Sequence, residues 1–160
     1  MRIENRLTEL GLVLPDPLRL PPGVTLPFPW VRVHAGRAFV SGHGPRLQDR
    51  SLAGPLGKVG GEVTQEQAYD AARLTALAVL GGLKRELGDL DRVTAWLRVF
   101  GMVNTAPGFT ATPAVINGFS DLILELWGPE AGSHARSAVG MAELPYSIPV
   151  EIEAEVAIDG

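Results

Sequence analysis

The sequence predicts an α+β fold: one mixed β-sheet of about five to six strands, two main helices packed on one of its faces, and a short N-terminal helix. Three observations carry that prediction. Residues 150–158 alternate strictly, with Val150, Ile152, Ala154, Val156 and Ile158 on one face and Glu151, Glu153 and Glu155 on the other, the period-2 signature of a half-covered strand. Two longer segments, one opening at Thr64 and one near Thr112, repeat apolar residues at helical spacing. The order of elements is helix, strand, strand, long helix, strand, helix, strand, strand, which fits one sheet covered on a single side.

Composition narrows the class before any residue is weighed. At 160 residues the chain reads as one domain, residues 1–160, long enough to bury a core without staples. Hydrophobic residues make up 46% and charged residues 20%, the balance of an ordinary globular protein. The net charge is −4 with no basic run, which argues against nucleic acid as a partner, since that needs clustered Lys and Arg. With no cysteine there is no disulfide, thiolate nucleophile or cysteine-based zinc site. Neither a leader pattern nor a membrane span is read, so the expected compartment is the cytoplasm, with no membrane partner.

Residues 2–10 place Ile3, Leu7 and Leu10 at helical spacing, with Gly11 as the stop. Residues 14–29 hold six prolines and cannot be helix or central strand. Together residues 1–29 are expected to form a helix and an extended wrapping segment, whose Leu14, Leu18, Leu20, Leu26, Phe28 and Trp30 call for cover. A hairpin follows over residues 31–43, turning at Ala35-Gly36, and Gly42 near its end permits close approach by a ligand or another backbone. Residues 44–61 read as irregular loop with a hairpin as the alternative, and lack the spacing of a phosphate-binding loop. Thr64 and Gln67 form a capping box for a helix that runs to Leu87 and stops at Gly88; Gly81-Gly82 inside it points to close packing. A strand over residues 94–103 leads to a second helix with Thr112 as N-cap and Pro113 at its first position, ending at Gly128-Pro129. The last two strands, around a turn at residues 144–149, read as a hairpin with Arg136, Ala138 and Gly140 on the uncovered side together with Glu151. A face lined by Ala and Gly is not expected to stay wet, so a partner subunit is expected there.

Two residues stand out chemically. Arg136 projects over small neighbours, which suits a pocket for a small anion because guanidinium presents a fork matched to carboxylate; an ordinary surface arginine fits the same stretch. Glu151 is the candidate general acid or base, and a structural Arg136–Glu151 ion pair is the alternative. His34, His43 and His134 lack ligand spacing, so no metal is expected, nor any cofactor. No nucleophile-elbow pattern supports a serine triad.

The motifs taken in order, Phe39-Val-Ser-Gly42, the helix EQAYDAARLTALAVLGGLKRELGDLDRV, the strand LRVFGMVN, Val115-Ile-Asn117, Ala-Arg-Ser at 135–137, Leu144-Pro145 and Val150-Glu-Ile-Glu-Ala154, resemble the Rid family of reactive intermediate deaminases (YjgF-type) over about residues 25–158. The resemblance implies a chorismate-mutase-like sheet assembled as a homotrimer, with small-molecule clefts between subunits. It implies further that Arg136 grips a substrate carboxylate, that Glu151 handles the water attacking an imine, that Ser41 and Gly42 form the cleft wall, and that Asn117 lies near the cleft of a neighbouring subunit. The chain departs from the pattern at Ala138, where the family has a cysteine, at Phe28, where it has a tyrosine, and at His43, where Gln or a similar residue follows Ser-Gly. Loops before the second helix and over residues 44–61 are extended, so the resemblance is to a divergent subgroup. The expected function is hydrolysis of a small carboxylate-bearing imine or enamine; the alternative is a non-catalytic trimeric binding protein for a carboxylate metabolite. Ribonuclease activity fits poorly with the net charge.

Overall fold

The computed structural model describes residues 1–160 and contains five strands, β1 (Val31–His34), β2 (Arg37–His43), β3 (Val93–Asn104), β4 (Ala135–Met141) and β5 (Val150–Ile158). They form one sheet in the order β1-β2-β5-β3-β4. Every neighbouring pair is antiparallel except β3 and β4, which run parallel. The predicted α+β class, with a mixed five-stranded sheet, is the observed one.

Local sequence explains how each element starts and stops. Ala35 and Gly36 both have positive φ, 50° and 74°, the two-residue turn whose twist matches a right-handed β1–β2 hairpin. Helix α2 (Gln65–Leu87) begins at the Thr64/Gln67 capping box, with both reciprocal bonds formed, and ends at Gly88 with φ 82°. Ala68, Ala72, Thr75, Val79 and Leu83 form a buried stripe along it. Helix α3 (Thr112–Ala131) crosses α2 where Gly118 faces the Tyr69 carbonyl; a Cβ there would collide with that carbonyl. At Gly128, φ 83° and ψ 175° break the regular helix just before Pro129, at the predicted stop. Its start differs from the expectation: Ala111 is the N-cap, and Thr112 spends its hydroxyl on the Ala138 carbonyl at 3.0 Å, which ties α3 to β4 instead of closing the helix end.

Between helices and sheet, Trp96 meets Phe119 and Trp127 edge to face at 5.8 and 5.3 Å, geometry that suits the charge distribution of aromatic rings. Trp127 also donates its indole N–H to the Val93 carbonyl at 3.0 Å. No helix is long and apolar enough to cross a membrane.

The N-terminal helix α1 (Arg2–Glu9) buries Ile3 and Leu7; Leu10, expected on the same face, lies past the helix end and is exposed. The amides of Arg2 and Ile3, orphaned at the helix start, donate to Asp91 at 2.6 and 2.8 Å, and the Met1 amine reaches the same carboxylate at 2.7 Å. The proline-rich segment then follows the surface, fixed by Asp16 N–H to Gln48 O at 2.9 Å. Pro15 is buried and Leu14 packs against the core, while Leu20 and Phe28 stay exposed within one chain.

Two expectations about the last strands are corrected. β4 and β5 are not a hairpin, because β3 lies between them and pairs with both. The assignment of β4's faces is also reversed. Arg136, Ala138 and Gly140 stand beside Val99, Gly101 and Val103 on the helix-bearing face, and Val139 stands beside Met102 on the open one. The physical reason is that β4 is an edge strand, so neither face is deeply buried and alternation alone does not orient it. The open face therefore carries Phe39, Phe100, Met102 and Val139 among Arg98, Glu153 and Glu155, not a lining of Ala and Gly.

Candidate functional site

Chemically capable residues collect in two places, one at the β4 edge of the sheet and one at the end of β2 beside β5, with β3 between them. The first is at the β4 edge, under α3. Arg136 donates to Asn117 Oδ1 at 2.8 Å, to Ser120 Oγ at 3.2 Å and to the Pro113 carbonyl at 3.4 Å. Parallel pairing with β3 sets the height of Arg136, and one turn of α3 brings Asn117 and Ser120 to the same face. Ser120 also meets His134 Nε2 at 2.8 Å, and His134 Nδ1 lies 2.7 Å from the Gly132 carbonyl. A carbonyl only accepts, so Nδ1 carries the proton, Nε2 accepts from the Ser120 hydroxyl, and Ser120 Oγ is left to accept from Arg136. Burial holds His134 below the ordinary imidazole pKa, the Gly132 bond opposes that, and the Arg136 charge adds to it. This chain of bonds aims the guanidinium without a carboxylate partner; the ion pairs of the protein lie elsewhere. Ala138 lies on the same face.

The second place is a cavity of about 410 Å³ where the sheet loses β1 as a neighbour. β2 bulges between Val40 and His43, a device that re-aims side chains beside sites. The bulge sets Gly42 against Glu151: a Cβ on Gly42 would stand 2.5 Å from Glu151 Oε2. Glu151 projects from the face of β5 opposite the fully buried Val150 and Ile152. Burial raises its pKa, and the neighbouring charge of Glu153 adds to the rise. Ser41 donates its hydroxyl to Pro29 O at 2.8 Å and its amide to Trp30 O at 2.9 Å, which pins the incoming chain as the cavity's rim. His43 places Nδ1 2.6 Å from the Ser41 carbonyl and its ring 5.1 Å from Trp30, which in turn meets Phe28 edge to face at 5.7 Å. Burial depresses the His43 pKa. Nε2 of His43 is turned toward Gly82 of α2, where a Cβ would meet it in ordinary van der Waals contact at 3.4 Å.

Of the predicted residues, Glu151, Gly42, His43 and Phe28 thus line one cavity, with Ser41 behind its rim; Arg136, Asn117 and Ala138 form the other group. Glu151 pairs with Met102, and Met102 with Val139, so a full strand separates Glu151 from β4. An Arg136–Glu151 bridge inside one chain does not form. Sequence reasoning passed over Ser120 and His134, although Ser120 sits three residues after Asn117 and His134 two before Arg136, the spacings that share a face. It also passed over Arg46 and Arg85, which line the cavity from a loop without periodicity and from the end of α2.

Comparison with known proteins agrees with this architecture. The profile of the family described as "YjgF/chorismate mutase-like, putative endoribonuclease" matches residues 4–149. Protein TCP17 of Trypanosoma cruzi is 44% identical over 103 residues, and the chain spans 64% of that relative's length. Among solved structures, Atu1372 of Agrobacterium tumefaciens, of unknown function, is 38% identical, with 99% of this chain and 93% of that one covered at a TM-score of 0.85. A Shewanella oneidensis protein described as a "putative endoribonuclease" is 28% identical, with 99% and 100% covered at a TM-score of 0.87. With a profile match across most of the chain and a shared fold from end to end, the chain belongs to the YjgF/chorismate mutase-like family, the Rid family that its motifs resemble.

Proposed function

We propose that the chain works as a homotrimer whose clefts between subunits bind a small carboxylate-bearing imine or enamine and hydrolyse it. The observation that carries this reading is the division of the machinery. The anion-binding group around Arg136 and the acid–base group at Glu151 lie on opposite faces of one sheet, so they converge only across an interface between copies. The apolar open face with Phe39, Phe100, Met102 and Val139 supports such an interface.

In this cleft Arg136 and Asn117 of one subunit orient the substrate carboxylate, and Ser41, Gly42 and Glu151 of its neighbour form the reacting wall. Water adds to the C=N carbon while Glu151 takes a proton from it. The same carboxyl returns that proton to nitrogen to give the carbinolamine. It then takes the proton of the carbinolamine hydroxyl and passes it to the amine as the C–N bond breaks and C=O forms, so the products are a 2-oxo acid and ammonia. A carboxyl whose pKa is raised by burial suits this two-way transfer better than an ordinary one. The imine carbon is already electrophilic, so orientation and one proton carrier supply what is needed.

Imines generated in the assay from amino acids by an amino-acid oxidase, with trapping by semicarbazide, test the reading. Wild-type protein is expected to reduce trapping, and Glu151→Gln to abolish turnover while 2-oxo acid binding persists. The acid limb of kcat/KM is expected above the ordinary glutamate pKa of 4.5. Ala138 and Phe28, in place of the family cysteine and tyrosine, favour the second reading, a trimeric binding protein; that reading requires carboxylate binding with no turnover by the wild type. Endoribonuclease activity has little support in a chain of net charge −4 without a basic surface run.

A further inference from the structure

The cavity beside Glu151 is much larger than a three-carbon imino acid needs. At about 410 Å³ it falls among pockets that enclose most of a drug-sized ligand. Part of its wall comes from two segments to which the motifs assign no site role. The proline-rich segment contributes Pro15 to Leu18, and the 44–61 loop contributes Arg46 and Leu52. Apolar surface comes from Leu18, Leu52 and Ile148 and from the edge-to-face pair Phe28–Trp30, with Phe28 45% exposed.

Charge in the cavity is distributed unevenly. Arg46 donates to the Arg50 carbonyl at 3.2 Å and Arg85 to the Pro15 carbonyl at 3.3 Å, and neither has a carboxylate within ion-pair distance. A guanidinium has five N–H donors, so most of each fork stays open. Burial lowers both pKa values, the mark of cations that have lost water without gaining a counter-ion. The carboxylates lining the same space are Asp16 and Glu151; Asp16 acts on Arg85 only at longer range, and Glu151 belongs to the reacting wall.

We infer that this cavity is a second subsite, built for the side chain of the substrate, and that it selects a long side chain ending in an anion held by Arg46 and Arg85. The inference rests on the cleft reading above, since the carboxylate at Arg136 fixes which end of the ligand enters. The substrate class is then a 2-imino diacid, with the related 2-oxo diacid as product. The proline-rich segment and the loop act as specificity elements, and the apolar walls carry the methylene chain between the two anion sites.

Three 2-oxo acids separate the possibilities by calorimetry on the intact assembly: 2-oxoadipate, 2-oxohexanoate of the same chain length, and pyruvate. Wild type is expected to bind 2-oxoadipate at least about tenfold more tightly than 2-oxohexanoate, the scale of a charge-assisted contact. The double variant Arg46→Gln/Arg85→Gln should lose that preference and keep its affinity for the other two. Leu18→Trp, which fills the cavity, should weaken both six-carbon acids and spare pyruvate. Equal binding of all three acids, each weakened by Arg136→Lys, overturns the subsite and leaves the cleft reading standing. Binding that ignores Arg136→Lys, or no binding of any of the three, removes the cleft reading and the subsite with it.

Discussion

Arg136 is oriented from below by neutral acceptors, Asn117, Ser120 and the Pro113 carbonyl, and not by a carboxylate. That choice keeps its charge available: a carboxylate partner would compete with a ligand, whereas an amide and a hydroxyl hold the fork in place and leave the charge uncompensated. Arg136→Lys retains the charge but loses the planar fork. Carboxylate affinity is expected to fall roughly ten- to a hundredfold, the equivalent of about 1.5–3 kcal/mol for a charge-assisted bond, with the melting temperature little changed. Titration with a 2-oxo acid alongside a thermal melt checks it; a large drop in melting temperature with affinity intact would assign Arg136 a structural role. Sequence reading singled out this arginine from the small neighbours around it. It did not find the supporting Ser120 and His134, because it searched histidines for metal spacing instead of following the faces that carry Arg136.

At the scale of elements, helix boundaries were legible and strand partners were not. The Thr64 box, Gly88 and Gly128-Pro129 encode where helices start and stop through local hydrogen bonds and backbone preferences, which need no tertiary context. Pairing is a long-range property. The turn around Pro145 and Pro149 suggested a hairpin, but a strand followed by a long helix and another strand more often closes a parallel pair, as β3, α3 and β4 do. The docking of α1 was equally invisible, since it depends on Asp91, some ninety positions away in the chain. Asp91 caps α1 in place of the missing side-chain cap. Burial alone would raise its pKa; the Met1 amine and the Arg2 and Ile3 amides outweigh burial and bring it to about 2. A carboxylate with a depressed folded pKa contributes stability above its ordinary 3.8 and loses it as pH falls toward about 2. Asp91→Ala is therefore expected to cost about 1 kcal/mol, as loss of a helix cap does, at pH 7 and progressively less below pH 4. Chemical denaturation of both proteins at several pH values measures the difference, and a pH-independent gap would rule out the carboxylate as the cause.

For the whole molecule, one fold does two jobs on two faces. The helix side buries the core and aims Arg136 at the β4 edge, while the open side carries Phe39, Phe100, Met102, Val139 and Glu151, the surface that meets a neighbour in the proposed trimer. A closed ring of copies, each presenting one surface to the next, is a head-to-tail arrangement in which every contact joins an Arg136 group to a different subunit's Glu151 group. Two consequences separate this from any single-chain site. Native mass is expected at three times the 17.0 kDa of the chain, by light scattering. More decisively, Arg136→Ala and Glu151→Gln subunits, each inactive alone, are expected to complement when unfolded together and reassembled. A cleft in such a mixture is intact only when its arginine comes from a Glu151→Gln subunit and its glutamate from an Arg136→Ala subunit. Random head-to-tail assembly from equal amounts therefore restores about a quarter of wild-type turnover. If both groups acted within one chain, no reassembled ring would hold an intact site, and the mixture would stay as inactive as its parents.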